Sequence, residues 1–438
     1  MGDKKTVAIH TLGCKVNQYE SEAIAEAFSK EGFLVCAPDD VCDAYVINTC
    51  TVTAESDRKA RQIIRRVVQL NPNALVLVTG CLSQSHPEDI AALCHVDYIC
   101  GNDNKLSVVK AAKGLFVSGK PKMPILAVND LESAPFEPMC ITRFSRTRAY
   151  VKIEDGCENK CTYCAIPAAR GRVRSKPLAD VVSEVEGLVQ GGCAEVVLTG
   201  IETASWGRDL GGDSLIDLLE AVDRIKGIGR VRLGSLDPSL MREESVRRLA
   251  GLTHLAPHFH LSVQSGSSRV LAAMKRKYNR EMALDAVRRL RKAIPQAELT
   301  ADFIVGFPGE SEEDFAETLS LAREAEFLHM HVFAYSPRKG TPAAAFPAQV
   351  DGATKKARSA ALIAAGEETH RARLEKALRT PRRSVLFETH QGGIAVGHTD
   401  SFLEVAVTSD VPLNGQLLSV YLTGIKNGTL LAKREDRL

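Results

Sequence analysis

The sequence predicts an α/β protein of three units: an N-terminal doubly wound parallel-sheet domain, a central partial (β/α) barrel and a C-terminal small antiparallel β-barrel. Three observations lead there. Short β-branched runs alternate with helical periodicity from residue 6 to about 100, and the same alternation resumes from about 149 to 336. The last ~60 residues break instead into short alternating runs separated by Gly, Asn and Asp. A length of 438 residues accommodates about three domains at roughly 150 residues each. The expected boundaries are 1–116, a linker at 117–142, then 143–372 and 375–438.

Taken in order, VAIHTLG (7–13) precedes a helical stretch from Glu20 to Lys30, and AYVINT (44–49) precedes a charged amphipathic helix from Glu55 to Leu70. ALVLVTG (74–80) and VDYICG (96–101) complete the first series. Pro121, Pro124, Pro135 and Pro138, with little periodicity around them, mark the linker. The second series has strands at 149–155, 194–200, 230–236, 258–266, 298–309 and 330–336, with helices such as Leu178–Gln190 and Arg280–Lys292 between them. Six βα units in that span suit an open barrel. A helix from Thr354 to Leu378 leads into the C-terminal runs.

Composition narrows the class. With 45% hydrophobic and 25% charged residues the chain is neither collagenous, disordered nor coiled-coil. No apolar run approaches the ~18 residues of a spanning helix, and MGDKKTVAIH lacks a signal-peptide core, so a cytoplasmic protein without a membrane partner is expected. A net charge of +2 leaves only local clusters as pointers to nucleic acid. Twelve cysteines without a secretory signal point to thiols or metal ligation rather than disulfides.

The sharpest motif is GCENKCTYC, which places Cys157, Cys161 and Cys164 within eight residues directly after a predicted strand. Three thiolates on so short a loop can wrap one cubane and leave one iron open. Structural zinc is the alternative, but it normally takes a fourth ligand and the next cysteine is Cys193, beyond a helix. Cys14, Cys50 and Cys81 form a second set, each directly after an apolar strand. In a doubly wound sheet the C-terminal strand ends open into one crevice, so these thiols can converge although 36 and 31 residues separate them. The other six cysteines show no such pattern and read as small buried hydrophobes.

CxxxCxxC with Tyr163 before its last cysteine resembles the signature of the radical S-adenosylmethionine (SAM) enzymes. TLGCKVNQYES, VINTCTVT, TGCLSQ and GCENKCTYCAIPAARGRVRS together resemble the methylthiotransferases of that superfamily over essentially the whole chain. The resemblance implies a [4Fe–4S] cluster on Cys157, Cys161 and Cys164 whose open iron chelates SAM, which one electron cleaves to methionine and a 5′-deoxyadenosyl radical. It implies an auxiliary [4Fe–4S] cluster on Cys14, Cys50 and Cys81, and it names the central unit the radical SAM core and the last one a TRAM domain. Sulfur insertion at an unactivated C–H needs such cofactors, because acid–base side chains do not supply the oxidant.

Known branches of the family act on N6-threonylcarbamoyladenosine or N6-isopentenyladenosine in tRNA, or on a ribosomal-protein aspartate. TLGCKVNQYE and INTCTVTAESDRKARQ resemble the threonylcarbamoyladenosine branch most closely. That implies a product methylthiolated at C2 of the adenosine at position 37, with tRNA as partner and an electron donor the sequence does not identify. One chain carries every part, so a monomer is expected. A reading of a different class is a non-catalytic RNA-binding protein held by structural zinc.

Residues 143–176 hold nine Lys or Arg against three acidic residues. From this cluster Arg170, Arg172 and Arg174 are candidate RNA contacts, with Arg170 alternatively serving the cofactor, and Arg379, Arg382 and Arg383 join them ahead of the last barrel. Candidate SAM contacts are Tyr163 and the polar residues near barrel strand ends: Gln264 first, then Ser262, Asp302, Thr199 and Glu202. GFPGE (306–310) lacks Walker or dinucleotide spacing and reads as a turn.

Overall fold

The computed structural model describes residues 4–435. Six parallel strands, β1 (Thr6–Thr11), β2 (Leu34–Cys36), β3 (Ala44–Thr49), β4 (Leu75–Gly80), β5 (Tyr98–Cys100) and β6 (Ile125–Ala127), form one sheet in the order β2-β1-β3-β4-β5-β6. β3 and β4 are buried at every position, as central strands covered on both faces must be. The covering helices are α1 (Lys15–Lys30), α2 (Ala54–Leu70), α3 (Cys81–Ser85), α4 (Pro87–Ala91) and α5 (Ser107–Ser118). Chain order reverses between β1 and β3, which makes their C-terminal ends the switch-point crevice of the sheet. β2 and β6 go beyond the expected strands: both are three-residue edges, and β6 lies inside the stretch expected to be a linker.

The second series runs β7 (Ala149–Lys152), β8 (Glu154–Asp155), α6 (Ile166–Arg170), β9 (Arg174–Ser175), α7 (Leu178–Gln190), β10 (Glu195–Thr199), α8 (Leu215–Asp223), β11 (Arg230–Leu233) and β12 (Ser235–Leu236). It continues with α9 (Glu243–Ala250), β13 (His258–Gln264), α10 (Ser268–Ala273), α11 (Arg280–Ala293), β14 (Glu298–Val305), α12 (Glu312–Ala325) and β15 (His329–Ala334). Parallel sheets β7-β10-β11 and β12-β13-β14-β15 meet at Gly234, giving the expected open barrel. Alternation sorts the faces. Phe259, Leu261, Val263, Leu299, Ala301, Phe303 and Val305 pack outward in the main core with Val181, Leu219 and Leu290 of the helices. His258, His260, Ser262, Thr300 and Asp302 therefore face the interior. GFPGE is a turn: the backbone N–H groups of Gly306 and Phe307 donate to the Glu310 carboxylate ahead of α12.

After α13 (Gly352–Ala377), strands β16 (Arg382–Gln391), β17 (Ile394–Thr399), β18 (Glu404–Thr408), β19 (Leu417–Lys426) and β20 (Thr429–Arg434) close a five-stranded barrel. Its pairings are antiparallel except β18 with β20, which run parallel.

Two buried charge networks join the units. In the first, Arg170 bonds Glu20 (2.6 Å) and Asp155 (3.1 Å), Lys152 bonds the same two carboxylates, Lys105 bonds Glu20 at 2.6 Å, and Arg174 lies 3.6 Å from Asp155. Burial alone would raise the Glu20 carboxyl, but Arg170, Lys105 and Lys152 hold it well below its usual range. In the second, Glu195 receives Arg148 (2.6 Å), Arg230 (2.9 Å) and Arg232 (2.7 Å), while Arg148 also reaches Glu388 of the last barrel at 2.8 Å. Phe402, with φ of 72°, is stacked between His258 and His398 at centroid distances of 4.6 and 4.5 Å and closes that end of the interior.

Removing one partner of a buried pair strands the rest, so Arg170→Ala is expected to cost about 3–5 kcal/mol, read as a lower midpoint in denaturant unfolding. An unchanged midpoint would refute the network's role. Burial opposes the Glu195 charge, yet its arginines hold the carboxyl down to about 2 from the usual 4.5. A depressed carboxyl stabilises the fold above its unfolded value and loses that contribution as pH falls toward the folded one. Docking of the last barrel should therefore weaken from about pH 4.5 toward about 2, and Glu195→Gln should remove that part of the acid dependence in limited-proteolysis titrations.

Candidate active site

Cys14, Cys50 and Cys81 follow β1, β3 and β4, three neighbouring strands whose ends are level: Thr11 pairs with Asn48, and Asn48 with Thr79. Strands sit ~4.8 Å apart, so register alone lines the three thiols along the crevice. Gly13 and Gly80 both have φ of 102°, and a Cβ on Gly13 would lie 2.9 Å from Cys50 Sγ, so the turn before Cys14 admits no side chain. Burial raises the Cys14 thiol and pushes Cys50 up to about 11, with the facing cysteines adding to both. Cys14 and Cys50 stay protonated alone and deprotonate on a bound cation. The donor set fits an iron–sulfur cluster, and so does its surroundings. Arg170 Nε donates to Cys81 Sγ at 3.1 Å, and the adjoining network gathers four cations around only two carboxylates, a surplus that anionic thiolates offset.

Cys157, Cys161 and Cys164 lie on the loop between β8 and α6. Gly156 has φ of 89° and its Cβ would meet Arg172 O at 1.7 Å, so the loop closes only on glycine. Thr162 N–H donates to Met274 O (3.1 Å), and Ala343 N–H donates to Thr162 O (2.9 Å), which pins the loop. Burial pushes Cys157 up to about 12 and Cys164 to about 11. Arg276 Nη1 donates to Cys161 Sγ at 3.2 Å; the guanidinium is held by Asp237 (2.8 Å) and Tyr278 (3.0 Å). Three thiols around a partly open loop fit a cubane with one free iron.

Cys14 and Lys15 touch solvent, yet enclosure dominates both, raising the thiol and lowering the ammonium. Arg232 and Arg148 also lower the Lys15 ammonium, while Asp302 and Cys14 raise it. On β13 the interior face carries His260 and then Ser262, whose carbonyl accepts from Arg276 beside Cys161. The two cysteine sites adjoin through Arg170, which donates to Cys81 Sγ and bonds Asp155, two residues before Cys157.

Of the expected SAM contacts, Glu202 accepts Asn159 Nδ2 at 2.7 Å and is a charged neighbour of Cys157. Tyr163 packs against Val270, Met274, Phe307, Tyr335 and Ala343. Gln264 ends β13 with φ of 66° at a register shift, Ser262 lies two residues before it, and Thr199 ends β10. Asp302 is taken up by His260 and His331, each at 3.0 Å; burial would raise its carboxyl, but the two imidazoles hold it low. Among the candidate RNA contacts two need correction. Arg170 is 0% exposed, and Arg174 is buried, donating to Arg170 O at 2.8 Å, so neither reaches a phosphate backbone. Local charge density did not distinguish the inward face of this segment from its outward one. Arg172 (57% exposed) and Arg379 face solvent; Arg382 pairs with Glu435 at 3.0 Å, and Arg383 donates to Thr380 at 2.6 Å.

Sequence reasoning missed Asn17, Glu20, Arg276 and Asp237. A signal existed for the first two: polar residues three and six positions after Cys14 share its face of α1. Arg276 and Asp237 meet the cysteine loop only through the tertiary fold.

Comparison with known proteins agrees with this geometry. The model of the Radical SAM superfamily matches residues 151–322, and that of "Uncharacterized protein family UPF0004" matches residues 6–101. The threonylcarbamoyladenosine tRNA methylthiotransferase MtaB of Bacillus subtilis is 38% identical over 95% of this chain and 93% of its own. Its namesake in Thermotoga maritima is 39% identical over 91% of each. The tRNA-2-methylthio-N(6)-dimethylallyladenosine synthase of Natranaerobius thermophilus is 34% identical over 97% of this chain and 95% of its own. The radical SAM methyltransferase TsrM of Kitasatospora setae shares the fold, with a TM-score of 0.56 at 18% identity over 78% of this chain and 74% of that one. On these identities and coverages the chain belongs to the radical SAM methylthiotransferases, enzymes that use a [4Fe–4S] cluster and SAM to insert sulfur and transfer a methyl group.

Proposed function

We propose that the protein methylthiolates C2 of N6-threonylcarbamoyladenosine at position 37 of tRNA, giving the 2-methylthio derivative. The observation that carries the reading is a pair of three-cysteine sites joined by one side chain: Arg170 donates to Cys81 Sγ and bonds Asp155, two residues before Cys157. Cys157, Cys161 and Cys164 would hold the cluster that binds SAM, and Cys14, Cys50 and Cys81 an auxiliary [4Fe–4S] cluster. When loaded, the first supplies the radical that removes the C2 hydrogen, and the second presents the sulfur.

The chain's own residues bind, orient and exclude water. Arg276, fixed by Asp237 and Tyr278, holds Cys161 Sγ, and Arg170 holds Cys81 Sγ, each with a charged N–H donor that favours the thiolate. Asn159 and Glu202 brace the loop beside the SAM position, with Tyr163 and Gln264 at its edge. Phe402 and the Glu195 network close the opposite end of the interior to bulk water. Exposed Arg172 and Arg379, with the C-terminal barrel, suit the RNA backbone. No helix among the described residues is long and apolar enough to cross a membrane.

Mass spectrometry of tRNA nucleosides from a deletion strain tests the substrate. The 2-methylthio-N6-threonylcarbamoyladenosine is expected to vanish while its precursor accumulates; loss of the isopentenyl derivative instead would move the enzyme to the branch of the dimethylallyladenosine relatives. The two sites should also separate in the purified enzyme. Alanine at Cys157, Cys161 or Cys164 is expected to abolish SAM cleavage. Alanine at Cys14, Cys50 and Cys81 together should leave cleavage measurable and end sulfur insertion. Methylthiolation by that triple variant would refute the auxiliary cluster.

A further inference from the structure

Three adjacent strands of the central barrel bring two imidazoles and one carboxylate to a single point. β13, β14 and β15 run side by side, with His260 paired to Thr300 and Asp302 paired to His331. Paired positions share a face, so His331 joins His260 and Asp302 on the interior side. Asp302 offers one oxygen to each imidazole: Oδ2 lies 3.0 Å from His260 Nε2, and Oδ1 lies 3.0 Å from His331 Nδ1. One donor atom from each residue lies within 4.8 Å of the other two. Donors bound to one zinc ion at ~2.05 Å stand roughly 2.9–3.4 Å apart, so both contacts already have the spacing that a shared ion imposes. Thr300 Oγ1 lies 2.8 Å from His260 Nδ1. With its proton on Nδ1, His260 donates to Thr300 and turns the Nε2 lone pair toward Asp302, and metal-bound imidazoles take such an outer partner. Among the described residues, the hydrogen-bond partners of these three side chains are one another and Thr300, so the triad braces no other element. β15 is the edge of its sheet and the His331 side chain is 50% exposed, which gives an ion and its water a way in.

We propose that His260, Asp302 and His331 bind one divalent transition-metal ion, zinc or a cation of the same kind, at a third site apart from both cysteine triads. Two imidazole nitrogens and one carboxylate oxygen are a donor set that selects first-row transition ions over magnesium and calcium, which prefer oxygen throughout. The donors come from three rigid neighbouring strands rather than from a loop, so the site is preformed. Three protein ligands fill three of the four tetrahedral positions and leave the fourth to water or to an oxygen donor of a molecule within the barrel. His260 stands two residues before Ser262 on the same face of β13, and the Ser262 carbonyl accepts from Arg276 beside Cys161. The ion would thus share the barrel interior with the reacting centre. The proposal does not depend on which adenosine the enzyme modifies.

The test is anaerobic equilibrium dialysis of the cluster-loaded protein against zinc chloride alone, with zinc and iron counted by elemental analysis. The wild type is expected to take up one zinc per chain without losing iron. Losing an outer partner of a metal ligand already costs 10–100-fold in affinity, so His331→Ala and Asp302→Asn are each expected to weaken zinc binding on the order of a hundredfold or more. His331 is half exposed and Asp302→Asn keeps the side chain's shape, so both variants should fold, with wild-type iron content and circular dichroism as the check. X-ray absorption at the zinc edge should show nitrogen and oxygen donors at ~2.0 Å and no sulfur at ~2.3 Å. Failure of the wild type to retain zinc overturns the proposal, as does wild-type affinity in both variants. A sulfur shell around the zinc also overturns it, by placing the ion in the cysteine triads.

Discussion

The buried charge network around Arg170 is the constraint on which the rest of the site depends. Arg170 lies six residues after Cys164 and is fully buried, yet its guanidinium is shared among Glu20 and Asn17 of α1, Asp155 before Cys157, and the Cys81 sulfur. One side chain thus ties the loop of one cysteine site to a cysteine of the other. Lys152 and Lys105 complete the attachment, and Arg170, Lys105 and Lys152 together hold Glu20 ionised against the effect of burial. A buried ion network gives little net stability for its desolvation cost, but it specifies one geometry sharply, because any other leaves charges unpaired. For a site assembled from two separate units, geometry is the quantity that matters.

The two cysteine triads reach their positions by different routes. The first relies on topology: neighbouring parallel strands end level, and three chain segments far apart in sequence deliver one thiol each. The second relies on a short loop closed by Gly156 and pinned to residues 274 and 343. Both have a guanidinium donating to one sulfur, 3.1 Å at Cys81 and 3.2 Å at Cys161. Charged donors to a ligating thiolate raise the reduction potential of an attached cluster.

Much of this was legible in the sequence because it is local. Strand-then-Cys at 14, 50 and 81 shows directly, and the two-residue alternation of β13 and β14 already assigns His260 and Asp302 to one face. The edge strands β2 and β6 were not legible, since three residues carry no periodicity and exist only through pairing with β1 and β5. Arg276 was invisible for the same kind of reason: its partner Cys161 is 115 residues away. Arg170 and Arg174 show the limit of counting charges. A run of arginines after the cysteine loop reads as an RNA-facing patch, and only the tertiary fold shows that alternate members turn inward, Arg170 to Glu20 of the N-terminal unit and Arg174 to Asp155 of its own.

The central claim is that the two cysteine sites lie side by side, joined through Arg170. The direct measurement is the magnetic interaction between the two centres, by pulsed EPR of the anaerobically loaded and reduced protein. If the account is right, the spectrum of the intact protein shows dipolar coupling that disappears when either triad is replaced by alanine. A spectrum equal to the sum of the two triple-variant spectra would place the centres apart and contradict it.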